Sequence, residues 1–385
     1  MSDDKIVQLS ARDFEEAIDF LNLVFSAHSP HDFATMLPSI YGPTDELMGC
    51  NYAIKTDGRI RAIVGLFPID LSVGNVPLRI AGIGGVSTHP GHRATGYMKS
   101  LMHHCVTEMK TQGYQLSWLG GQRQRYLYFG YESCGTKCIF TVSKTNLRHS
   151  FDGASHVSFA PISSYDKERI AHATKLHNGQ QLYCARSDQN FHDHLVGWHN
   201  QPYAALNSHG KMIGYLVAST EGDLIAELCA DSTDAAIEMV HGWVEEQTCE
   251  AVTVELHAVP DGLFYGLGRI GEHVRIRESG NWQVFDWAAV AEALLRLRSQ
   301  SCVLAQGTVT VGITGYGTLR LTVDGDRIEC VRSEEDADVT CDGPTAKRLL
   351  FGPLSPSLVM RLPRQAVLLE SWCPLPLSLT RQDWV

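Results

Sequence analysis

The residues from Gly84 to Met102, GGVSTHPGHRATGYMKSLM, carry the densest chemical signal in the sequence. An extended run ends in a short loop, and Arg93-Ala94-Thr95-Gly96 reads as the opening of a helix whose first turn leaves backbone N–H groups unpaired. Those donors, with the positive end of the helix dipole, make an anion site, and Gly96 lets a pyrophosphate come close to the backbone. Arg93 and Lys99 add positive charge. An arginine and a glycine three residues apart also suit an ordinary turn at a helix start, so the surrounding elements must decide. Metal chemistry finds less support. Of the 17 histidines, His28 with His31, His89 with His92, and His192 with His194 lie close in sequence, but none has the partners a zinc site needs. His89 and His92 fall inside the anion loop, where a structural or phosphate-adjacent role is expected, and no metal is expected. The chain has no Gly-x-Ser-x-Gly elbow, no Walker A loop and no Gly-x-Gly-x-x-Gly, which leaves hydrolase, NTPase and dinucleotide readings without support.

The elements around this loop form a definite order. Ser10 and Asp13 sit at capping-box spacing before an apolar stripe of Phe14, Ala17, Ile18, Leu21 and Phe25, which predicts a helix. YAIKT, the turn Asp57-Gly58, and IRAIVGLFPIDLSVG predict a hairpin. A third strand, LRIAGIGGVST, ends at His89-Pro90. A helix from about Ala94 follows, with Met98, Leu101, Met102, Cys105 and Met109 on its apolar side, and then the strand YQLSWL closing on Gly120-Gly121. Helix, antiparallel strands, helix and strand in this order imply an α/β or α+β layer in which one helix is entered directly from a central strand.

The pattern then repeats. YAALNSHGKMIGYLVAS, from Tyr203, aligns with YAIKTDGRIRAIVGLFP, from Tyr52. LIAELCA, a helix from Ser232 past Trp243, and AVTVELHA follow in matching order, which favours a duplicated fold. The second copy lacks the glycine-bearing segment between strand and helix. After Trp287 the helix AAVAEALLRLR, the short strands VTVGIT, TLRLTV and RIECV, and a helix from Pro344 make a third, smaller α+β unit. The expected division is 1–150, 151–285 and 286–385, with no low-complexity linker between units.

The net charge of −11 argues against a protein built to grip nucleic acid. It also raises the local concentration of cationic amines. Eleven scattered cysteines without a Cys-x-x-Cys pair suit reduced thiols in a cytosol. The segment MSDDKIVQLS lacks an apolar signal region, and no run approaches the roughly 18 apolar residues of a membrane span, so a cytoplasmic protein without membrane insertion is expected.

In this setting the Arg93-x-x-Gly96 loop resembles the signature of the GCN5-related N-acetyltransferase (GNAT) superfamily, with Met98 where a final Gly or Ala is usual. The form HR-x-x-G-Y-M-x-x-L-M is similar to the branch typified by the enhanced-intracellular-survival (Eis) acetyltransferases. That resemblance implies tandem GNAT-type mixed-sheet modules, the second degenerate, and a C-terminal unit like sterol carrier protein 2. It is specific over residues 82–135 and architectural elsewhere. It implies acetyl-CoA as co-substrate, with the backbone of Val86, Ser87 and Thr88 on the pantetheine arm and that of Arg93, Ala94, Thr95, Gly96, Tyr97 and Met98 on the pyrophosphate. An N–H freed by a strand bulge would face the thioester carbonyl.

A second match is QRQRYLYFGYESCG, where Tyr126, Gly130 and Tyr131 satisfy a tyrosine, three residues, glycine and aromatic pattern. The resemblance makes Tyr126 the acid for the departing thiolate, with Tyr128 its rival and core packing the plain alternative; a phenol is protonated at neutral pH and suits the task. Gly121 and Gln122 would line the cofactor. The resemblance also brings the terminal carboxylate, here that of Val385 after Asp383-Trp384, into the active site as base. The usual last residue of the branch is aromatic, so Val385 is a departure. The implied activity is acetyl transfer to a primary amine, whether an aminoglycoside-like polyamine, a lysine or a small amine, in a ternary complex, and related proteins are often homo-oligomers. The competing reading is a non-catalytic lipid or apolar-ligand binding protein that uses the C-terminal unit. It predicts loss of the Arg-x-x-Gly and Tyr-x-x-x-Gly segments, and both are present.

Overall fold

The computed structural model describes residues 5–26 and 30–385, so His28 lies outside the described residues. The N-terminal capping box forms as its spacing predicts: Asp13 Oδ2 accepts from the Ser10 backbone N–H at 2.9 Å, ahead of the helix Phe14–Phe25. The strands of the first third are β1 (Ile6–Gln8), β2 (Asn51–Thr56), β3 (Arg59–Val73), β4 (Val76–Thr88), β5 (Leu116–Leu119), β6 (Glu132–Cys134) and β7 (Lys137–Ser143). Those of the middle third are β8 (Ser158–Pro161), β9 (Leu182–Cys184), β10 (Gln201–Leu206), β11 (Met212–Ala218), β12 (Leu224–Ala230), β13 (Ala251–His257), β14 (His273–Arg277) and β15 (Gly280–Val284). Asp57 and Gly58 both adopt positive φ in the β2–β3 turn, as a tight hairpin between right-twisted strands requires.

Two sheets of matching topology result. The first runs β1-β2-β3-β4-β5-β15-β6, with β9 added to the far end of β3; the second runs β8-β10-β11-β12-β13-β7-β14. In each, three antiparallel strands lead to a helix and back to a strand parallel to the last of them. The helices are Tyr97–Thr111 and Thr233–Glu246. The matching order of elements is thus visible in three dimensions, and it carries a feature that local pattern does not reveal. The two sheets exchange strands: β15 inserts between β5 and β6 of the first, and β7 pairs with β13 and β14 of the second.

A third sheet, β18-β17-β16-β19, comprises β16 (Gly307–Ile313), β17 (Gly317–Asp324), β18 (Arg327–Ser333) and β19 (Val339–Cys341). It packs under the helix Trp287–Ser299 and shares one continuous core with the first sheet, where Trp118, Trp282, Trp287 and Trp372 are buried together. No helix among the described residues is long and apolar enough to cross a membrane.

The C-terminal segment is bound rather than loose. Arg186 is buried between Glu227, which it grips with two nitrogens at 2.9 and 2.8 Å, and Asp383, which it reaches at 2.8 Å. Tyr215 donates its hydroxyl to Glu227 at 2.7 Å. Gln382 donates to the carbonyls of His194 and Leu195 and accepts from Asn200. Arg186 and His177 beside it hold Glu227 well below the usual carboxylate range against the opposing effect of burial. Replacing Arg186 by Met should therefore cost about 3–5 kcal/mol, since it strands two buried carboxylates, as measured by denaturant titration. Because the folded pKa of Glu227 is depressed, its contribution is complete above the unfolded carboxylate pKa and is lost as pH falls through the folded value. The wild-type advantage over the variant should therefore shrink on acidification.

Candidate active site

The site begins where β4 leaves β5. Their parallel pairing runs from Ile80 opposite Leu116 to Ile83 opposite Leu119 and then stops, while β4 continues to Thr88. On its other side β4 pairs with β3, but Ile63 faces Ser87 and Gly65 faces Gly84, so Gly85 and Val86 share the single partner Val64. This is a β-bulge, and Gly85 takes φ +58° within it. The bulge falls just past the last paired residue of β4 with β5, at the edge of the opening between the strands. Ser87 is buried with its Oγ unpartnered, and Thr88 pairs with Ala62 at the strand end.

The helix beyond starts at Tyr97, three residues later than the periodicity suggests. Ala94 and Gly96 have φ of +66° and +89° and Arg93 is extended, so Arg93–Gly96 is an irregular turn with two left-handed residues and not the first helical turn. Gly96 is the N-cap and gives no side-chain hydrogen bond, so the first N–H groups of Tyr97–Thr111 stay available, and Arg93 to Gly96 are exposed. A Cβ placed on Gly96 would meet nothing within 4 Å, which leaves the space above the turn open. The corresponding helix of the second sheet starts on Ser232, whose side chain accepts from the Ala235 N–H at 3.1 Å, and no loop precedes it. That copy retains a cavity of about 320 Å³ where β12 and β13 part, but it has no cradle for a phosphate. Substituting Gly96 by Val imposes a left-handed φ on a branched residue, and binding of a pyrophosphate-bearing ligand at this turn should weaken about tenfold or more, as read by calorimetry with CoA as the probe.

The two histidines of the loop differ: His92 Nδ1 is buried without a partner, whereas His89 is engaged. His89 Nδ1 accepts from the Gly91 N–H at 3.1 Å, and its ring lies 5.4 Å from that of His92.

On the β5 side of the opening, Gly121 adopts φ +101° beside the Tyr126 ring, at 3.1 Å from where its Cβ would be, and Gln122 caps the short helix Arg123–Tyr126. Tyr126 is buried, whereas Tyr128 is 87% exposed, which separates the two rival phenols. Burial raises the Tyr126 pKa, opposed by Arg125. Arg123 is paired with the fully buried Glu132, which pins the segment to β6.

On the β4 side stands the chain terminus. A Cβ on Gly84 would lie 2.7 Å from the terminal carbonyl carbon of Val385 and 3.1 Å from its oxygen, and one on Gly82 would overlap the valine side chain. The backbone carbonyl group of Val385 therefore rests on β4 at the point where the strands part. Trp384 stacks on Trp118 of β5 with ring centroids 5.5 Å apart, and Lys137 Nζ lies 4.8 Å above its face. The valine that departs from the aromatic pattern fits because Gly82 and Gly84 leave it room.

Sequence reasoning missed several residues here. Tyr41 is buried with its hydroxyl unpartnered, 2.7 Å from where a Cβ on Gly85 would be. Trp198, held at φ +61°, meets Trp384 edge to face, and the indole N–H of each lacks a partner. With Ser87 these make four buried polar groups, unsatisfied within the protein, around one opening, the state expected where a substrate completes the bonding. Nothing local in the sequence marks Tyr41 or Trp198.

Residues 5–134 match the family model described as the acetyltransferase (GNAT) domain. No curated protein sequence matches the chain. Among solved structures, the chain is similar to a conserved protein of unknown function from Enterococcus faecalis V583 described as a probable N-acyltransferase, at 15% identity, TM-score 0.70, and 99% coverage of both chains. A GCN5-related N-acetyltransferase from Kribbella flavida aligns at 18% identity and TM-score 0.67, over 99% of this chain and 98% of that one. Eis1 from Mycobacterium abscessus aligns at 14% identity and TM-score 0.65, over 98% of each chain. The match to the GNAT model is thus confined to the first third of the chain, and the mixed α/β fold is shared with these structures over nearly the whole length.

Proposed function

We propose that the protein is an acetyl-CoA-dependent N-acetyltransferase of the Eis-like kind, acting on a primary amine in a ternary complex. The observation that carries this reading is the difference between the two copies of the fold. The first has a bulged, splayed β4 followed by a glycine turn and a helix whose N–H groups are free; the second has that helix capped by its own Ser232. A protein that used only an apolar cavity would have no need to keep the first arrangement.

In this reading the N–H groups of Arg93, Ala94, Thr95, Gly96, Tyr97 and Met98 hold the pyrophosphate. The β4 backbone from Val86 to Thr88 holds the pantetheine arm along the opening, and Gly121 and Gln122 close the other wall. An N–H turned out by the bulge stabilises the carbonyl oxygen as negative charge builds on it. The terminal carboxylate of Val385 takes the proton from the substrate ammonium. The freed amine attacks the thioester carbon, a C–N bond forms, the C–S bond breaks, the Tyr126 phenol gives its proton to the departing thiolate, and the second proton lost by the attacking nitrogen passes through solvent to restore the phenol. The acceptor enters beside Tyr41, Trp198 and Trp384, and polyamines, lysine side chains and small amines all suit the required chemistry.

We also infer that residues 1–150 supply the catalytic module, 151–285 the degenerate one and 286–385 a unit like sterol carrier protein 2, in a cytosolic homo-oligomer. The test of the function is calorimetry with acetyl-CoA followed by an assay of CoA thiol release on addition of polyamines. Saturable heat and amine-dependent release are expected. No heat at about 1 mM acetyl-CoA, equivalent to less than about 4 kcal/mol of affinity, would count against it.

A further inference from the structure

At the opposite end of β5 from the splay, a cavity of about 640 Å³ lies between the first sheet and the third. Its size is within the usual range for small organic ligands. Four aromatic rings line it: Tyr114 and Phe285 from the first sheet's end, Trp287 and Tyr316 from the third unit. Into it reaches Lys347, which is only 3% exposed and makes no hydrogen bond or salt bridge with any described residue. Its Nζ lies 5.5 Å from the centre of the Trp287 ring and 3.8 Å from where a Cβ on Gly343 would be, at the N-terminal turn of the helix Gly343–Phe351.

The arrangement is costly as it stands. A lysine so buried is ordinarily paired, and here its own helix presents the positive end of its dipole to it. Burial lowers the Lys347 pKa, and Glu132 and Asp342 offset this only in part; neither hydrogen-bonds the ammonium, since Glu132 is committed to Arg123 and Asp342 caps the helix by accepting from Thr345 at 2.8 Å. A second lining residue is also incomplete, since Gln283 Oε1 is buried and unpartnered. The remaining charges of the lining are Lys110 and Asp286, and Asp286 spends an oxygen on the Ala289 N–H at 3.0 Å. The cavity is therefore cationic in a chain of net charge −11.

We propose that this cavity is a binding site for a flat aromatic carboxylate that also carries an N–H or O–H donor, its carboxylate on Lys347, its donor toward Gln283 and its ring among Trp287 and Tyr316. The aromatic lining gives area, the ammonium gives the sign of charge, and the unsatisfied amide oxygen gives the donor requirement. The site is separate from the acetyl-transfer opening, and its test reads binding alone, so its outcome is independent of the proposed activity.

The probe is indole-3-acetate, titrated into the full chain by calorimetry in the presence of saturating CoA. Saturable binding is expected, with tryptamine, the same ring bearing a cation, at least tenfold weaker. Lys347→Met should weaken indole-3-acetate at least tenfold. Gln283→Leu should weaken it about fivefold while leaving 1-naphthaleneacetate, which lacks the N–H, within twofold; this second variant serves should Lys347→Met fail to fold. Absence of saturable heat, equal binding of tryptamine, or unchanged affinity in the folded Lys347→Met protein would each overturn the assignment. So would an equal loss of both probes in Gln283→Leu.

Discussion

Deleting Val385 alone should lower kcat by about a hundredfold or more while acetyl-CoA affinity changes by less than about twofold. The deletion leaves a terminal carboxylate, but it withdraws that group along the chain by about 3.5 Å, away from Gly84 and from the point where β4 and β5 separate. A proton acceptor so displaced loses hydrogen-bond reach to the ammonium it serves. The anchors of the tail, Arg186 to Asp383 and Gln382 to the carbonyls of His194 and Leu195, stay intact, so the protein should still fold. Gly84→Ala is the complementary variant. Its methyl group would stand 2.7 Å from the Val385 carbonyl carbon, so it should push the carboxylate off β4 and reproduce the loss with the full-length tail. Stopped-flow acetylation with saturating acetyl-CoA, paired with calorimetry, separates the two effects.

Tyr126→Phe should also reduce kcat, by about 10²–10⁴-fold, with acetyl-CoA binding preserved, because the ring that packs on Gly121 remains and only the proton donor goes. Tyr128→Phe should change little, since that ring stands in solvent. The pH profile adds a sign. The acid must be protonated to act, and burial raises the Tyr126 pKa, so wild-type activity should hold across the range where an ordinary phenol begins to ionise and fall only as pH passes the raised value. In Tyr126→Phe that basic limb should disappear from kcat.

The parts of the site legible in the sequence are those written in short stretches. The Ser10 cap, the Asp57-Gly58 hairpin and the strand running into His89 each depend on neighbours within a few residues, and each forms. The helix boundary at Tyr97 escaped because Ala94 takes a left-handed φ, which a β-carbon disfavours and a sequence does not announce. The exchange of β7 and β15 was hidden for a different reason. A short strand read alone says nothing about which of two similar sheets it will join, and β15 reaches β5 across more than 160 positions of chain. The same holds for the tail. Asp383-Trp384 could be noticed, but Arg186, Glu227 and Gln382 acquire meaning only when the second sheet folds against the terminus. Residues of the middle third are thus what hold the segment that ends at Val385 against the first sheet.

The most direct test of that account is a crystal structure with CoA bound. The pyrophosphate should lie on the Arg93–Met98 turn and the sulfur between the Tyr126 hydroxyl and the Val385 carboxylate, within hydrogen-bonding reach of the former. A CoA molecule lodged elsewhere, or a sulfur facing neither group, would contradict it.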